Sequence, residues 1–121
     1  MDIRIKRVYE PPDPGDGCRV LVDRLWPRGL RKADAAIDAW LRDLAPSREL
    51  RKWFGHAPER WPEFRERYLA ELRRGPGIPD WLLERARAGP VTLLFAAREA
   101  ERNNASVLRE HLAGRLREAD D

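Results

Sequence analysis

The sequence is poor in residues that bind metals or form disulfides. It has one cysteine and two histidines in 121 residues. One cysteine cannot form an internal disulfide, and three scattered Cys and His side chains cannot supply a four-ligand structural zinc site. No glycine-rich phosphate loop, Walker pattern or nucleophile elbow is present. We therefore expect neither a metal ion nor a bound cofactor.

Long hydrophobic runs are also absent. The longest nearly continuous apolar run, residues 91–97, is far shorter than the roughly 20 residues that a membrane-spanning helix needs. Residues 1–7 alternate charged and aliphatic side chains and lack the apolar core of a signal peptide. We expect a cytoplasmic protein that makes no membrane contact, folded as one domain over residues 1–121 because this length is typical of a single domain.

Lysine is scarce and arginine is abundant, with three lysines and 21 arginines. The net charge is only +3, and residues 57–121 carry 12 basic and 12 acidic side chains. The excess of positive charge therefore lies in residues 1–56. The segment from Arg24 to Lys32 contains four basic residues and no acidic one. This distribution favours a local anion site over the broad basic surface that is typical of nucleic-acid-binding domains.

Hydrophobic periodicity predicts an α/β fold. Strands are expected near residues 3–8, at 20–22 and at 91–97, the last with both faces buried. A helix is predicted from Lys32 to Leu44, because Ile37, Trp40, Leu41 and Leu44 follow helical spacing. A short helix is predicted after Ser47, which can cap its start, and Gly55 suits the left-handed residue at its end. Further helices are predicted from Pro58–Pro62 to Gly75, from Pro79 to Gly89, and over about 103–117. The result is a small, about three-stranded sheet, mixed or parallel, flanked by about five helices. The first two strands are either antiparallel neighbours or separated by the last strand.

Candidate ligand-binding residues lie where the strands end. In open α/β sheets, ligands bind beyond the carboxyl ends of the strands. Arg24 and Arg28 follow the second strand, Arg98 follows the last one, and Arg51 lies on the short helix after Ser47. Guanidinium groups bind phosphate and carboxylate through paired N–H donors. The alternative for each arginine is a structural role, in which it bonds a backbone carbonyl or a nearby carboxylate.

Four other residues could take part in such a site. Asp23 and His56 are the candidate catalytic residues, because a carboxylate and an imidazole can exchange protons near neutral pH. Trp26 lies between two arginines and could stack on a ring. Asn103 precedes the last helix, where backbone N–H groups favour an anion. The structural alternatives are helix capping for Asn103 and a helix-end contact for His56.

Several segments resemble the YeaO-like branch of a bacterial domain-of-unknown-function family. These are residues 5–10, Asp16-Gly17, Arg19 to Gly29, residues 45–47, Leu50 to Phe54 with His56, and residues 92–98. The resemblance implies a small cytosolic α/β protein and brings no established activity. A longer branch of the same family is similar at the strand ends but has a Cys-His-Arg segment near the position of Asn103-Asn104-Ala105 here. Thiol chemistry is therefore not implied for this chain.

Two classes of function remain open from the sequence. The favoured hypothesis is an uncharacterised YeaO-like protein that binds a small phosphate- or carboxylate-bearing ligand in an arginine-lined crevice, with or without enzymatic activity. The alternative is a nucleic-acid-binding or protein-interaction module without catalysis.

Overall fold

The computed structural model describes residues 2–120, with side chains described up to residue 118. Four strands and five α-helices follow one another along this part of the chain, with short 3-10 turns at Pro14–Asp16, Arg42–Leu44 and Pro58–Arg60. The strands are β1 (Ile3–Arg7), β2 (Cys18–Leu21), β3 (Ala39–Trp40) and β4 (Val91–Phe95). The helices are α1 (Lys32–Ala35), α2 (Arg48–Phe54), α3 (Trp61–Arg74), α4 (Asp80–Ala88) and α5 (Asn104–Asp120). The predicted α/β fold is confirmed, with β3 as a fourth strand of two residues.

The sheet is parallel throughout, with the strand order β1-β4-β2-β3. Cys18 and Ile3 lie on either side of Val91 in register. The last strand therefore separates the first two, which settles the question that the short connection between them left open. All five residues of β4 are buried, as predicted for a central strand covered on both faces.

The two faces of the sheet are covered differently. Helices α2 to α5 contribute to the main hydrophobic core, which includes Phe64, Tyr68, Leu82 and Leu108 and packs on one face. A smaller cluster on the other face consists of Val8, Leu21 and Leu94, against which loop residues pack. The carboxyl ends of β2 and β4 therefore lie between a layer of helices and a layer of loop.

The predicted helix over residues 32–44 is wrong. The α1 helix stops at Ala35, and Ala36 adopts a left-handed conformation with φ of 49°. Ile37 and Trp40 pack in the small cluster, whereas Leu41 and Leu44 pack in the main core. The apolar residues that matched one helical stripe serve opposite faces of the sheet, which a single helix cannot do.

The turn before β2 fits tightly against the start of β4. The backbone N–H of Cys18 donates to the Pro90 carbonyl at 3.0 Å. Gly17 has φ of 65°, and a Cβ there would lie 2.1 Å from the Pro90 oxygen. Only glycine meets both conditions, so this residue sets the register of the two strands.

No helix within residues 2–120 is long and apolar enough to cross a membrane.

Candidate functional site

A cleft of about 680 Å³ lies beyond the carboxyl ends of β2 and β4. Its walls come from the segment after β2, the end of α2, the residues after β4 and the start of α5. The ladder bonds continue past the strands, since the Val22 N–H donates to the Leu94 carbonyl at 3.0 Å. Parallel strands bring the residues that follow them to one edge, and the cleft lies at that edge.

Seven of the eight predicted site residues line this cleft. They are Asp23, Arg24, Trp26, Arg28, Arg51, His56 and Asn103. Arg98 is exposed and is not among the lining residues. Arg102 takes its place in the wall, and Asn104 also lines the cleft.

Asp23 joins three elements at the base of the cleft. Its carboxylate accepts the Ala96 backbone N–H at 2.9 Å and the Asn104 side-chain N–H at 2.9 Å, and its backbone carbonyl accepts the Trp40 indole N–H at 2.7 Å. Burial raises the pKa of the Asp23 carboxyl, while the two N–H donors and the nearby Arg51 charge oppose that rise. Asp23 therefore fixes the ends of β2 and β4 and the start of α5 relative to one another.

Arg24 fixes the opposite wall. Its guanidinium donates to the carbonyls of Ala45 and Pro46, both at 3.3 Å. These contacts are long and use only part of its donors, and they do not neutralise its charge. Arg24 thus takes the structural role of holding a loop and still brings a positive charge to the cleft.

Arg51 is the most unusual of the arginines. Its Nε atom is buried and has no hydrogen-bond partner within residues 2–120. Its charge acts on Asp23 electrostatically, but the two make no ion pair within 4.0 Å. A buried N–H donor without an acceptor costs about 1–3 kcal/mol, so the protein leaves the Arg51 guanidinium incompletely bonded beside the cleft.

Arg28 and Arg102 are exposed at the cleft. Neither side chain forms an ion pair within 4.0 Å in the part of the chain that the structure describes, and the Arg102 charge acts on the Glu99 carboxylate at longer range. The Arg28 backbone carbonyl accepts the Tyr9 hydroxyl at 2.9 Å, which ties this segment to the residues after β1. The Arg102 backbone N–H donates to the Glu99 carboxylate.

The cleft therefore carries four arginine side chains from three segments of the chain. None of Arg24, Arg28, Arg51 and Arg102 forms an ion pair with a carboxylate among residues 2–118. Some arginines elsewhere are paired, as Arg19 is with Asp16 and Arg65 is with Glu110, whereas others, such as Arg42, lie over an aromatic ring. Asp23 is the one carboxylate among the described lining residues, and its hydrogen bonds go to amide N–H groups and not to an arginine. The four arginines therefore outnumber the acidic groups of the cleft and leave a local positive field that favours an anion.

Trp26 packs against the protein and does not offer a free ring. Its indole N–H donates to the Leu30 carbonyl at 2.7 Å, and its ring meets Trp40 edge-on at 5.6 Å. Lys32 lies 6.0 Å over the same ring. Trp26 shapes one wall as part of the small hydrophobic cluster.

His56 follows the left-handed Gly55 that ends α2 and is itself left-handed, with φ of 58°. It is exposed, and its ring lies 6.0 Å from that of Phe54. The imidazole has no hydrogen bond within residues 2–120. The capping of α2 by Ser47 and Gly55 matches the sequence prediction.

Asn103 caps α5. Its side-chain oxygen accepts the Ser106 N–H at 3.0 Å, and its side-chain nitrogen donates to the Glu99 carbonyl at 2.9 Å. Both ends of the amide are thus occupied. Asn103 orders the helix terminus next to the cleft, where the helix dipole adds to the positive field.

Sequence reasoning missed Arg102 and the partner role of Asn104. Arg98 was favoured because it directly follows the last strand. The Glu99 carboxylate accepts the backbone N–H groups of Glu101 and Arg102, both at 2.6 Å, and this turn carries Arg102 to the cleft. A carboxylate at Glu99, two and three residues before the N–H groups that it accepts, is the sequence signal that could have predicted this turn.

The model for the family described as "Inactive DUF488-N3 subclade" matches residues 2–121. This chain belongs to that family. The uncharacterized protein YeaO of Escherichia coli is a similar relative, 46% identical over 112 residues, which cover 93% of this chain and 97% of YeaO. An uncharacterized protein of Mycobacterium tuberculosis is 47% identical over 113 residues, which cover 93% of this chain and 95% of that protein.

No solved structure gives a significant match. The expected YeaO-like relationship is confirmed. This member of the subclade has a four-stranded parallel sheet and an arginine-lined cleft.

Proposed function

We propose that the cleft binds a small molecule through a phosphate or carboxylate group and does so without catalysing a reaction. The observation that carries the proposal is the convergence of Arg24, Arg28, Arg51 and Arg102 on one concave surface with no carboxylate partner. Guanidinium groups donate in pairs to the oxygens of both kinds of anion.

The Arg51 side chain supports this proposal most strongly. It lines the cleft, its Nε–H group has no acceptor among residues 2–120, and its guanidinium forms no ion pair there. Its charge is therefore left for an anion to balance. The cleft volume lies in the range of roughly 300–1,000 Å³ that small-molecule sites occupy.

The contacts of Asp23 and His56 favour binding over catalysis. The Asp23 carboxylate already accepts two N–H donors that join β2, β4 and α5, so it acts as a structural acceptor. No hydrogen bond orients the His56 imidazole within residues 2–120, whereas a general base is usually oriented by a third group. The family to which the chain belongs is described as an inactive subclade, which agrees with this interpretation.

Isothermal titration calorimetry with inorganic phosphate and with citrate, at fixed ionic strength, tests the proposal. We expect binding to the wild type and a loss of about tenfold or more in affinity for Arg51→Gln, because a charge-assisted hydrogen bond contributes about 1.5–3 kcal/mol. Arg28→Gln should lose less, since Arg28 is exposed.

Arg48→Gln is the matched control, because Arg48 lies on the same helix as Arg51 but does not line the cleft. Absence of binding to both anions, or an equal loss in Arg48→Gln, would contradict the proposal. Tighter binding to short single-stranded DNA with a steep salt dependence would indicate a nucleic-acid interface instead.

A further inference from the structure

The cleft has an aromatic wall in addition to its arginines. We define this wall as Phe54, His56 and Phe64, all of which line the cleft. The rings of Phe54 and Phe64 are stacked with centroids 4.4 Å apart, and the His56 ring lies 6.0 Å from Phe54. Phe64 is buried, Phe54 is half-buried and His56 is exposed. The three rings therefore run from the core to solvent along one side of the cleft.

The aromatic wall lies next to the arginine that lacks a partner. Arg51 and Phe54 are three residues apart on α2, which places them on the same helix face. An anionic group that accepts from Arg51 is therefore adjacent to the ring of Phe54. A ligand that carries only a phosphate would leave this apolar surface in contact with water.

The backbone at His56 adds a second argument. Gly55 and His56 adopt consecutive left-handed conformations, with φ of 52° and 58°. A left-handed conformation is unfavourable for any residue with a Cβ atom, and within residues 2–120 the imidazole makes no hydrogen bond that would offset this. The left-handed conformation of His56 places its ring beside that of Phe54.

We infer that the occupant of the cleft is a nucleoside monophosphate, with its phosphate on the arginines and its base against the aromatic wall. This inference rests on the proposed anion site and adds a ring-binding subsite to it. Bases stack on aromatic side chains with little sequence preference, because every base has a π-face. The ring of Trp26 is already packed edge-on against Trp40. Within the aromatic wall a base has access to His56 and Phe54, since Phe64 is buried. Tyr9 is a further exposed aromatic residue that lines the cleft.

The test compares adenosine and uridine monophosphates with ribose 5-phosphate, which has the sugar and phosphate without a base. We expect both nucleotides to bind the wild type at least about fivefold more tightly than ribose 5-phosphate. His56→Gly should reduce this preference, and because glycine is free to adopt the left-handed conformation, the variant should fold. Phe54→Leu should reduce the preference further. Trp81→Leu removes an exposed aromatic outside the cleft and should keep it.

The experiment distinguishes failure of the ring subsite from failure of the anion site. Equal affinity for ribose 5-phosphate and the nucleotides, or a preference that survives in both His56→Gly and Phe54→Leu, would overturn the ring subsite and leave the anion site standing. Absence of binding to all three probes would overturn both. A short oligonucleotide that binds more tightly than either mononucleotide would replace the free nucleotide with a strand as the occupant.

Discussion

Replacement of Asp23 by asparagine should destabilise the protein without weakening anion binding. The Asp23 carboxylate accepts one N–H from the Ala96 backbone and one from the Asn104 side chain. An amide of the same shape has only one oxygen, so its NH₂ group would face one of these two donors. Rotation of the Asn104 amide gives no escape, because its nitrogen also donates to the Val22 carbonyl at 3.1 Å.

The magnitude follows from these contacts. One buried donor loses its acceptor, at a cost of about 1–3 kcal/mol. The neutral side chain recovers part of the cost of burying a carboxylate, which is visible in the raised pKa of Asp23. The net loss should be about 1–2 kcal/mol, which corresponds to a decrease of about 4–8 °C in Tm for a chain of this length.

Thermal unfolding at neutral pH measures this effect, and calorimetry with inorganic phosphate measures binding. Asp43→Asn is the control, since Asp43 is exposed and has no hydrogen bond or ion pair among the described residues. Asp23→Asn should bind phosphate at least as well as the wild type, because a negative charge near Arg51 is removed. An unchanged Tm would refute the junction that Asp23 forms, and weaker phosphate binding would refute its purely structural role.

Three further outcomes are expected. The pKa of Asp23 is higher in the folded protein than in the unfolded chain, so its contribution to stability is full below the unfolded-state pKa and is lost as pH rises through the folded-state pKa. The difference in stability between wild type and Asp23→Asn should therefore be larger in acid than at neutral pH. A difference that does not change with pH would contradict this prediction. Tyr68→Phe removes a buried 2.6 Å hydrogen bond and should lower Tm by about 4–8 °C in thermal unfolding, with an unchanged Tm as the contrary result. Gly17→Ala should lower the free energy of unfolding by about 3 kcal/mol or more, measured with denaturant, because the new Cβ would clash with Pro90. Gly29→Ala, whose Cβ would have no neighbour within 4 Å, should lower it by only about 1–2 kcal/mol. Equal losses in the two variants would argue against the tight turn at Gly17.

The sequence predicts the elements whose signals are local. Ser47 and Gly55 cap α2 as expected. The run at 91–95, which is apolar on both faces of a strand, forms the central strand β4. The segment 32–44 was predicted wrongly because helical spacing reports which residues are buried and not which face of the sheet buries them. The insertion of β4 between β1 and β2 is a long-range property, and no local pattern in the first 22 residues encodes it.

Part of the candidate cleft was predictable because it is lined by strand-end residues. Parallel strands β2 and β4 are neighbours, so Asp23 and Arg24 reach the edge where β4 ends. Arg51 reaches the cleft from α2, which depends on how that helix packs. The exchange of Arg98 for Arg102 was not predictable from strand ends, because it depends on how the Glu99 turn redirects the backbone. The packed state of Trp26 depends on Trp40, which the sequence had placed on a helix.

A titration of inorganic phosphate, followed by two-dimensional NMR of the arginine Nε–H groups, tests the anion site most directly. Arg51 Nε has no acceptor in the described protein, so a bound phosphate should move its signal more than that of any other arginine, with a saturable dependence on concentration. The Arg51→Gln spectrum identifies that signal by its disappearance. Small, non-saturating shifts shared by arginines across the surface would show that phosphate only screens charge and that the cleft is not an anion site.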